Sequence, residues 1–231
     1  MNIYGKQISM WYIKNKKPDT DNSKEEIIKP LDVTIEPGKV TLIMGRSGSG
    51  KTTLLSVLAG LLKPSEGTVF YDDTDIYKEK DNIFSQFRNR YVGFIPQGQS
   101  LIQNLTVKEN ILLPAGIGNK SDRREIADAL IKELDLLARA NNYPRELSGG
   151  EIRRCAIARA LINDPKVIFA DEPTGDLDDH NTDTVFELLR KKANEGAAVV
   201  IVTHEESAPK YADTVYRMDG GYLTQTTLMS A

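Results

Sequence analysis

Gly45-Arg46-Ser47-Gly48-Ser49-Gly50-Lys51-Thr52 is the segment of this 231-residue chain with the most specific structural meaning. It fits the pattern G-x-x-x-x-G-K-[ST] and lies between an apolar run, 40–44, and a helical pattern, 52–62. In that setting the glycines allow backbone N–H groups to point inward, and the helix adds the positive end of its dipole. Lys51 can then reach the β- and γ-phosphates, and the Thr52 hydroxyl can bind Mg²⁺. The segment therefore predicts a site for a nucleoside triphosphate.

The rest of the chain alternates short apolar runs with longer helical patterns. The apolar runs predict buried parallel strands. They are 40–44, 91–95, 167–170 and 197–202, and the helical patterns are 52–62, 122–140, 151–162 and 181–193. Such alternation predicts an α/β fold, with a mostly parallel sheet and helices on its faces.

The flanking segments follow a different pattern. Those that predict antiparallel strands are 6–13, 33–35 and 67–71. The segment 214–223 predicts a hairpin that turns at Asp219-Gly220-Gly221, and the polar segment 14–26 predicts a solvated loop. Residues from about 98 to 146 predict a mainly helical insertion. We therefore expect a single domain over 1–231, with an N-terminal antiparallel β subdomain and a helical subdomain.

Composition and charge exclude several classes of protein. The chain has 30 Lys and Arg residues against 33 Asp and Glu residues, and without a basic excess we expect no nucleic-acid partner. The longest apolar run, 197–202, is far shorter than the ~18–20 residues that a membrane-spanning helix needs. The N-terminal segment lacks the apolar core of a secretion signal. The single cysteine, Cys155, cannot form an internal disulfide. These observations favour a cytoplasmic location.

Two adjacent carboxylates, Asp171 and Glu172, follow the apolar run 167–170. Beside a phosphate, Asp171 could hold Mg²⁺ directly or through water, and Glu172 could accept a proton from an attacking water. The alternative is that they only begin the turn made by Pro173 and Gly175. The phosphate loop elsewhere in the chain favours the functional interpretation.

Gln97 and His204 each follow another apolar run, 91–95 and 197–202. The Gln97 amide could orient water or contact the metal, whereas an isolated histidine at a strand end is more often a structural hydrogen-bonding residue. Ligands bind at the carboxyl edge of a parallel sheet, so we expect both side chains to reach the phosphate loop. This position favours a functional role for His204.

A second glycine-rich helix start occurs at Leu147-Ser148-Gly149-Gly150-Glu151. Ser148 and Glu151 fit a capping box, which explains these two residues without any ligand. It does not explain the glycines, each of which costs up to about 1 kcal/mol relative to alanine inside a helix. Bare backbone at a helix start allows an anion to approach closely. The segment therefore predicts either a second ligand or contact with the same ligand on a neighbouring copy, as in a symmetric dimer.

Taken together, the motifs resemble those of the ATP-binding, ATP-hydrolysing subunits of ABC transporters. The resemblance extends from about residue 8 to residue 223. In chain order it identifies the Walker A loop at 45–52, the Q-loop at Gln97, the signature at 147–151, Walker B at 167–172, the D-loop ending at Asp178, and the switch histidine at His204.

The resemblance implies a P-loop NTPase core and a head-to-tail homodimer that encloses two ATP molecules. Each ATP would lie between the Walker A loop of one subunit and Ser148, Gly149, Gly150 and Glu151 of the other. Thr53 would join the loop in binding ATP, and Tyr12 would stack on adenine, with Trp11 as the alternative. The catalytic residues would be Glu172, His204, Gln97 and Lys51, with Mg²⁺ held by Thr52, Gln97 and Asp171.

Two segments are similar to one branch of the family: Gly175-Asp176-Leu177-Asp178 and 105–111. This branch includes lipoprotein-releasing, macrolide-exporting and antimicrobial-peptide-resistance ATPases. It implies an FtsX-like integral membrane permease, with the ATPase peripheral on the inner face of the membrane, in an exporter or a mechanotransmission system.

Two alternatives compete with this interpretation. A soluble non-transport ABC-type ATPase would usually bring a long coiled coil, zinc motifs or a second cassette, and the sequence contains none of these. A GTPase would explain Asn119-Lys120-Ser121-Asp122, which resembles the guanine-selecting N-K-x-D motif but follows no apolar strand.

Overall fold

The computed structural model describes residues 1–14, 23–98, 100–118, 123–175 and 177–226. Within them the strands form two sheets, one with the order β2-β1-β4-β5 and one with the order β10-β9-β3-β8-β7-β6. The strands are β1 (Ile3–Lys14), β2 (Ser23–Ile35), β3 (Val40–Met44), β4 (Glu66–Tyr71), β5 (Thr74–Asp75), β6 (Val92–Ile95), β7 (Val167–Asp171), β8 (Ala198–Thr203), β9 (Thr214–Asp219) and β10 (Tyr222–Thr226). The helices are α1 (Lys51–Leu58), α2 (Asp81–Tyr91), α3 (Val107–Ile117), α4 (Arg124–Glu133), α5 (Gly149–Leu161) and α6 (Asp179–Asn194).

The larger sheet confirms the predicted α/β fold. Its strands β3, β8, β7 and β6 are parallel neighbours, as is β9 next to β3, and only β10 is antiparallel to its neighbour. The carboxyl ends of the parallel strands therefore lie at one edge, which is where the sequence places its candidate functional residues.

Alternate residues of the central strands enter two separate hydrophobic cores. Leu42 and Val199 pack in the core that includes residues of α3, α4, α5 and α6. Ile43 and Val200 pack in the other core, with residues of α1 and of the antiparallel sheet. Because successive side chains of a strand point to opposite faces, a sheet covered on both faces needs the almost continuous apolar runs seen in the sequence.

Several sequence predictions need correction. The helical pattern 52–62 corresponds to α1, which already ends at Leu58. The segment 14–26 is not wholly a loop, because β2 begins at Ser23 and its residues Lys24 and Glu25 pair with Ile13 and Tyr12 of β1. The predicted strand 91–95 begins one residue later, since Tyr91 ends α2 and its ring contacts Phe87, with centroids 4.9 Å apart. Within the helical pattern 122–140, the described residues 123–140 form a helix only over α4 and a 3-10 turn at Leu137–Arg139.

The hairpin predicted at 214–223 is confirmed as β9 and β10, which turn at Gly220 and Gly221. Both glycines have positive φ angles, +52° and +83°, as a two-residue hairpin turn favours. In the part of the chain that the structure describes, no helix combines the length and the apolar character needed to cross a membrane.

Candidate nucleotide-binding site

The segment 45–52 links β3 to α1, as the sequence predicts. A Cβ atom at Gly45 would lie 2.2 Å from the carbonyl oxygen of Met218, and one at Gly50 would lie 2.7 Å from that of Ile27. Gly50 also has a φ angle of +102°, a conformation that favours glycine. Close packing of the loop against β9 and β2 therefore requires glycine at these two positions.

Lys51 is buried, with 7% of its surface exposed, although its ammonium group carries a charge. Its Nζ atom donates hydrogen bonds to the carbonyl oxygens of Gly45, at 2.8 Å, and Arg46, at 2.9 Å. These bonds hold the ammonium group against the loop that the sequence predicts to bind phosphates, and a positive charge there would stabilise them.

Asp171 and Thr52, the two residues expected to hold Mg²⁺ with Gln97, are in direct contact. The Thr52 hydroxyl donates a hydrogen bond of 3.2 Å to Asp171, whose side chain is almost fully buried. Burial raises the pKa of Asp171, although the hydrogen bond from Thr52 opposes this shift. Because burial makes this carboxylate costly to ionise, a nearby cation would stabilise its charged form. Mg²⁺ prefers oxygen ligands, and the Asp171 carboxylate and the Thr52 hydroxyl both provide them.

Glu172 follows β7 in a left-handed conformation, with a φ angle of +47°. Its amide donates to the carbonyl oxygen of Val202 at 2.8 Å. Its Oε1 lies 3.0 Å from Nδ1 of His204, and its Oε2 accepts a hydrogen bond of 3.0 Å from Thr203. The carboxylate of Glu172 is therefore held by groups at the end of the neighbouring strand, β8.

His204 differs from Glu172 in its exposure: 75% of its side chain is accessible, against 13% for Glu172. The hydrogen bond to the Glu172 carboxylate, and the attraction of its negative charge, raise the pKa of His204 above its ordinary value. The imidazole is thus in contact with the candidate proton acceptor and still open to a ligand.

A cleft of about 610 Å³ joins these elements. It is lined by most of the segment 45–53, by Gln97, Glu172 and His204, and by Tyr12 and Ile27 of the β1–β2 hairpin. The structure thus brings together candidates from widely separated parts of the chain. The buried side chains of Ser49 and Asp171 are not in its lining.

Of the two candidates for the adenine contact, Tyr12 lines the cleft and Trp11 does not. The Trp11 ring instead contacts the Lys24 ammonium group, 4.2 Å from the ring centroid. Ile27 also lines the cleft, and nothing in the sequence marks it as functional until β2 is placed beside the phosphate loop.

The signature residues lie at the start of α5 and do not line the cleft of their own chain. Ser148 and Glu151 form the predicted capping box: the Glu151 amide donates to the Ser148 hydroxyl at 3.2 Å, and the Ser148 amide donates to Glu151 at 2.7 Å. Ser148 and Gly149 are exposed, and Gly150 is half-buried. This helix start is therefore accessible to a ligand or to another chain.

Asp178 also lies outside the lining of the cleft, where it caps α6. Its carboxylate accepts a hydrogen bond of 2.8 Å from the backbone amide of Asn181, and this bond contributes most to lowering the pKa of Asp178. Arg154 of α5 donates to the Asn181 side chain at 2.9 Å. Two other predicted positions, Asp176 and the segment 119–122 with its N-K-x-D pattern, lie outside the described residues.

The fold and the cleft together define a P-loop nucleotide-binding protein of the α/β class. A family model described as ABC transporter matches residues 28–175, and the chain belongs to this family.

Two curated relatives show the similarity along most of the chain. The chain is 42% identical to the lipoprotein-releasing system ATP-binding protein LolD of Cytophaga hutchinsonii, over 86% of this chain and 92% of that protein. It is 40% identical to the bacitracin export ATP-binding protein BceA of Halalkalibacterium halodurans, over 91% of this chain and 85% of that protein.

A solved structure shows the same fold. The ATP-binding cassette MJ0796, in a dimeric post-hydrolysis state bound to ADP and Pi, superposes with a TM-score of 0.90 and 32% identity. The match covers 99% of this chain and 100% of that one. The present chain is an ABC-type ATPase, the ATP-binding subunit of a transporter.

Proposed function

We propose that this chain hydrolyses ATP in a head-to-tail dimer with a second copy, and that the dimer drives a separate membrane permease. The observation that carries the proposal is the division of the nucleotide-contacting candidates between two places. Lys51, Glu172 and His204 surround the cleft, whereas Ser148 and Gly149 are exposed at the start of α5, outside its lining. A second copy that presents its own α5 start would complete the site.

Glu172 is the residue best placed to accept the proton of the attacking water. The water oxygen forms a bond to the γ-phosphorus while the bond from that phosphorus to the bridging oxygen breaks, and the electron pair leaves with ADP. Lys51 and the loop N–H groups stabilise the phosphate charge, and His204 contacts the γ-phosphate. Mg²⁺ held by Thr52, Asp171 and Gln97 would supply further positive charge at the phosphate oxygens.

The names of the relatives support a transport role of the exporter or mechanotransmission type. The LolD protein is named for lipoprotein release and the BceA protein for bacitracin export. The resemblance of segments 105–111 and 175–178 to the same branch supports an FtsX-like permease. This partner would place the chain on the inner face of the membrane.

A groove of about 950 Å³ offers a contact for the permease. Its described lining residues come mainly from α2, the end of α3 and the segment before β7, and none of them also lines the cleft. Ile83 and Ile117 line it while leaving 52% and 70% of their surfaces exposed. An apolar segment of the permease would cover these side chains.

Site-directed photo-crosslinking in membranes of the host tests this proposal. A photoreactive residue replaces Ile117, and a matched control replaces Tyr222, which is 60% exposed on β10. We expect residue 117, and not 222, to crosslink to a polytopic protein that mass spectrometry identifies as an FtsX-like permease. Crosslinks to non-membrane proteins alone would contradict the transport role and leave the ATPase chemistry standing.

A further inference from the structure

Thr203 is the last residue of β8 and precedes His204. Its exposed fraction is 0%, and it ends a run that is otherwise aliphatic. A hydroxyl group in such a place must find hydrogen-bond partners, because burying it without them costs free energy. The partners that it finds are Glu172 and the backbone of Glu205.

The directions of these two hydrogen bonds follow from the chemistry of the partners. The Glu205 amide can only donate, so Thr203 Oγ1 accepts its proton, at 3.1 Å. An ionised carboxylate can only accept, so the Thr203 hydroxyl proton points to Oε2 of Glu172, at 3.0 Å. The hydroxyl carries one proton, and its acceptor in the structure is the Glu172 carboxylate.

The other contact of the Glu172 carboxylate is of a different kind. Oε1 contacts His204, whose side chain is 75% exposed and changes its charge with pH. Thr203 is buried and stays neutral, so its hydrogen bond persists whatever the protonation state of His204. The same end of β8 also holds the Glu172 backbone through the carbonyl oxygen of Val202.

We propose that Thr203 is a positioning residue for ATP hydrolysis: its hydroxyl fixes Oε2 of Glu172 and so presents Oε1 to the cleft beside His204. This inference rests on the proposed role of Glu172 as the proton acceptor. A misplaced base slows proton transfer without changing how ATP is bound, so loss of the Thr203 hydroxyl should lower kcat and leave KM nearly unchanged.

The test compares Thr203→Val, which replaces the hydroxyl by a methyl group of similar size, with Thr203→Ser, which keeps the hydroxyl. We expect Thr203→Val to lower kcat roughly tenfold to a hundredfold, the range for a lost hydrogen bond to a charged group. We expect KM for ATP to change by less than about twofold in Thr203→Val. Thr203→Ser should retain most of the wild-type kcat. Thr203→Ala serves in the same comparison if the valine variant does not fold.

A double-mutant cycle with Glu172→Gln separates positioning from general damage to the fold. If Thr203 acts through Glu172, adding Thr203→Val to Glu172→Gln leaves the residual rate unchanged. A further fall in rate would overturn the proposal, as would normal kcat in Thr203→Val or equal losses in the valine and serine variants. Wild-type turnover in Glu172→Gln would instead refute the proposed role of Glu172, and the inference with it.

Discussion

Arg153 of α5 donates a hydrogen bond of 2.6 Å to the carbonyl oxygen of Pro96, the residue before Gln97. Further along the same helix, Arg159 donates to the carbonyl oxygen and to the hydroxyl of Ser100, both at 2.8 Å. The helix thus holds the chain on both sides of Gln97. Because α5 begins at the signature segment, it connects a candidate metal ligand of one site with the surface proposed to contact the nucleotide of the partner.

Replacing Arg159 by methionine should destabilise the fold measurably. Methionine keeps a long unbranched side chain but lacks the guanidinium group, so both hydrogen bonds to Ser100 are lost. We expect the free energy of unfolding to fall by about 1–3 kcal/mol, measured by urea denaturation. Arg217→Met, at an exposed position on β9, is the matched control. Equal effects of the two substitutions would show that the contacts of Arg159 contribute nothing to stability.

Glu172→Gln should bind ATP, accumulate as a dimer and hydrolyse ATP poorly. An amide of the same shape cannot accept the proton of the attacking water, and we expect a loss in kcat of about a hundredfold or more. ATPase assays and light scattering with ATP measure the two effects. Glu187→Gln, at an exposed position on α6, makes the same charge change away from the cleft and should behave as wild type. A monomeric Glu172→Gln variant at saturating ATP would count against the dimer.

His204 should titrate above its ordinary pKa, because the Glu172 carboxylate stabilises the protonated imidazole. The contribution of this pair to stability is then fully present below the ordinary value of 6.5 and is lost as the pH rises through the raised value. The chain has two histidines, so a His180→Asn variant leaves one imidazole signal to follow by NMR. Adding Glu172→Gln to this variant should lower the pH midpoint at which the His204 signal titrates. An unchanged midpoint would mean that the pair does not form in solution.

The sequence predicts the central strands well because both faces of each are buried, which demands runs of apolar residues. It predicts strands less well where they form only because a neighbouring strand pairs with them. The polar residues 23–26 form a strand because β1 lies beside them, although their composition favours a loop. Most residues of the helix α2 are polar, and its inward side is marked only by the spacing of Phe84, which is buried, and of Phe87 and Tyr91, which are half-buried.

The candidate site follows the same division. Lys51, Glu172 and His204 stand in short patterns whose chemistry can be read along the chain. The contact of Thr203 with Glu172 joins residues 31 positions apart, and the contact of Arg153 with Pro96, beside Gln97, joins residues 57 positions apart. No local pattern carries that information, since it arises only when the strands and α5 are packed together.

Ser148→Arg should abolish hydrolysis and spare ATP binding by the isolated chain, because Ser148 lies outside the cleft of its own chain. Thr106→Arg is the matched control: Thr106 caps α3 with the same kind of capping box, so both variants lose a cap worth about 1 kcal/mol. Only the variant at α5 should lose ATPase activity.

Mixing two inactive variants gives a sharper test of the shared site. A dimer of one Ser148→Arg chain and one Glu172→Gln chain has one site with an intact Glu172 and an intact partner signature. If the subunits are mixed before ATP is added, part of the activity should return. No recovery in mixtures shown to contain heterodimers would argue that each chain uses its own signature.

Tyr12→Ala should weaken ATP binding by about 5- to 150-fold, the range for losing an aromatic side chain that stacks on a base. Tyr12 is 48% exposed at the cleft, so the substitution should leave the fold intact. Calorimetry compares ATP with pyrophosphate, whose affinity should not change because it has no base to stack. Tyr12→Phe should bind ATP as wild type does, since it keeps the ring. Trp11→Ala is the neighbouring control, and a loss of ATP affinity in that variant alone would move the adenine contact from Tyr12 to Trp11.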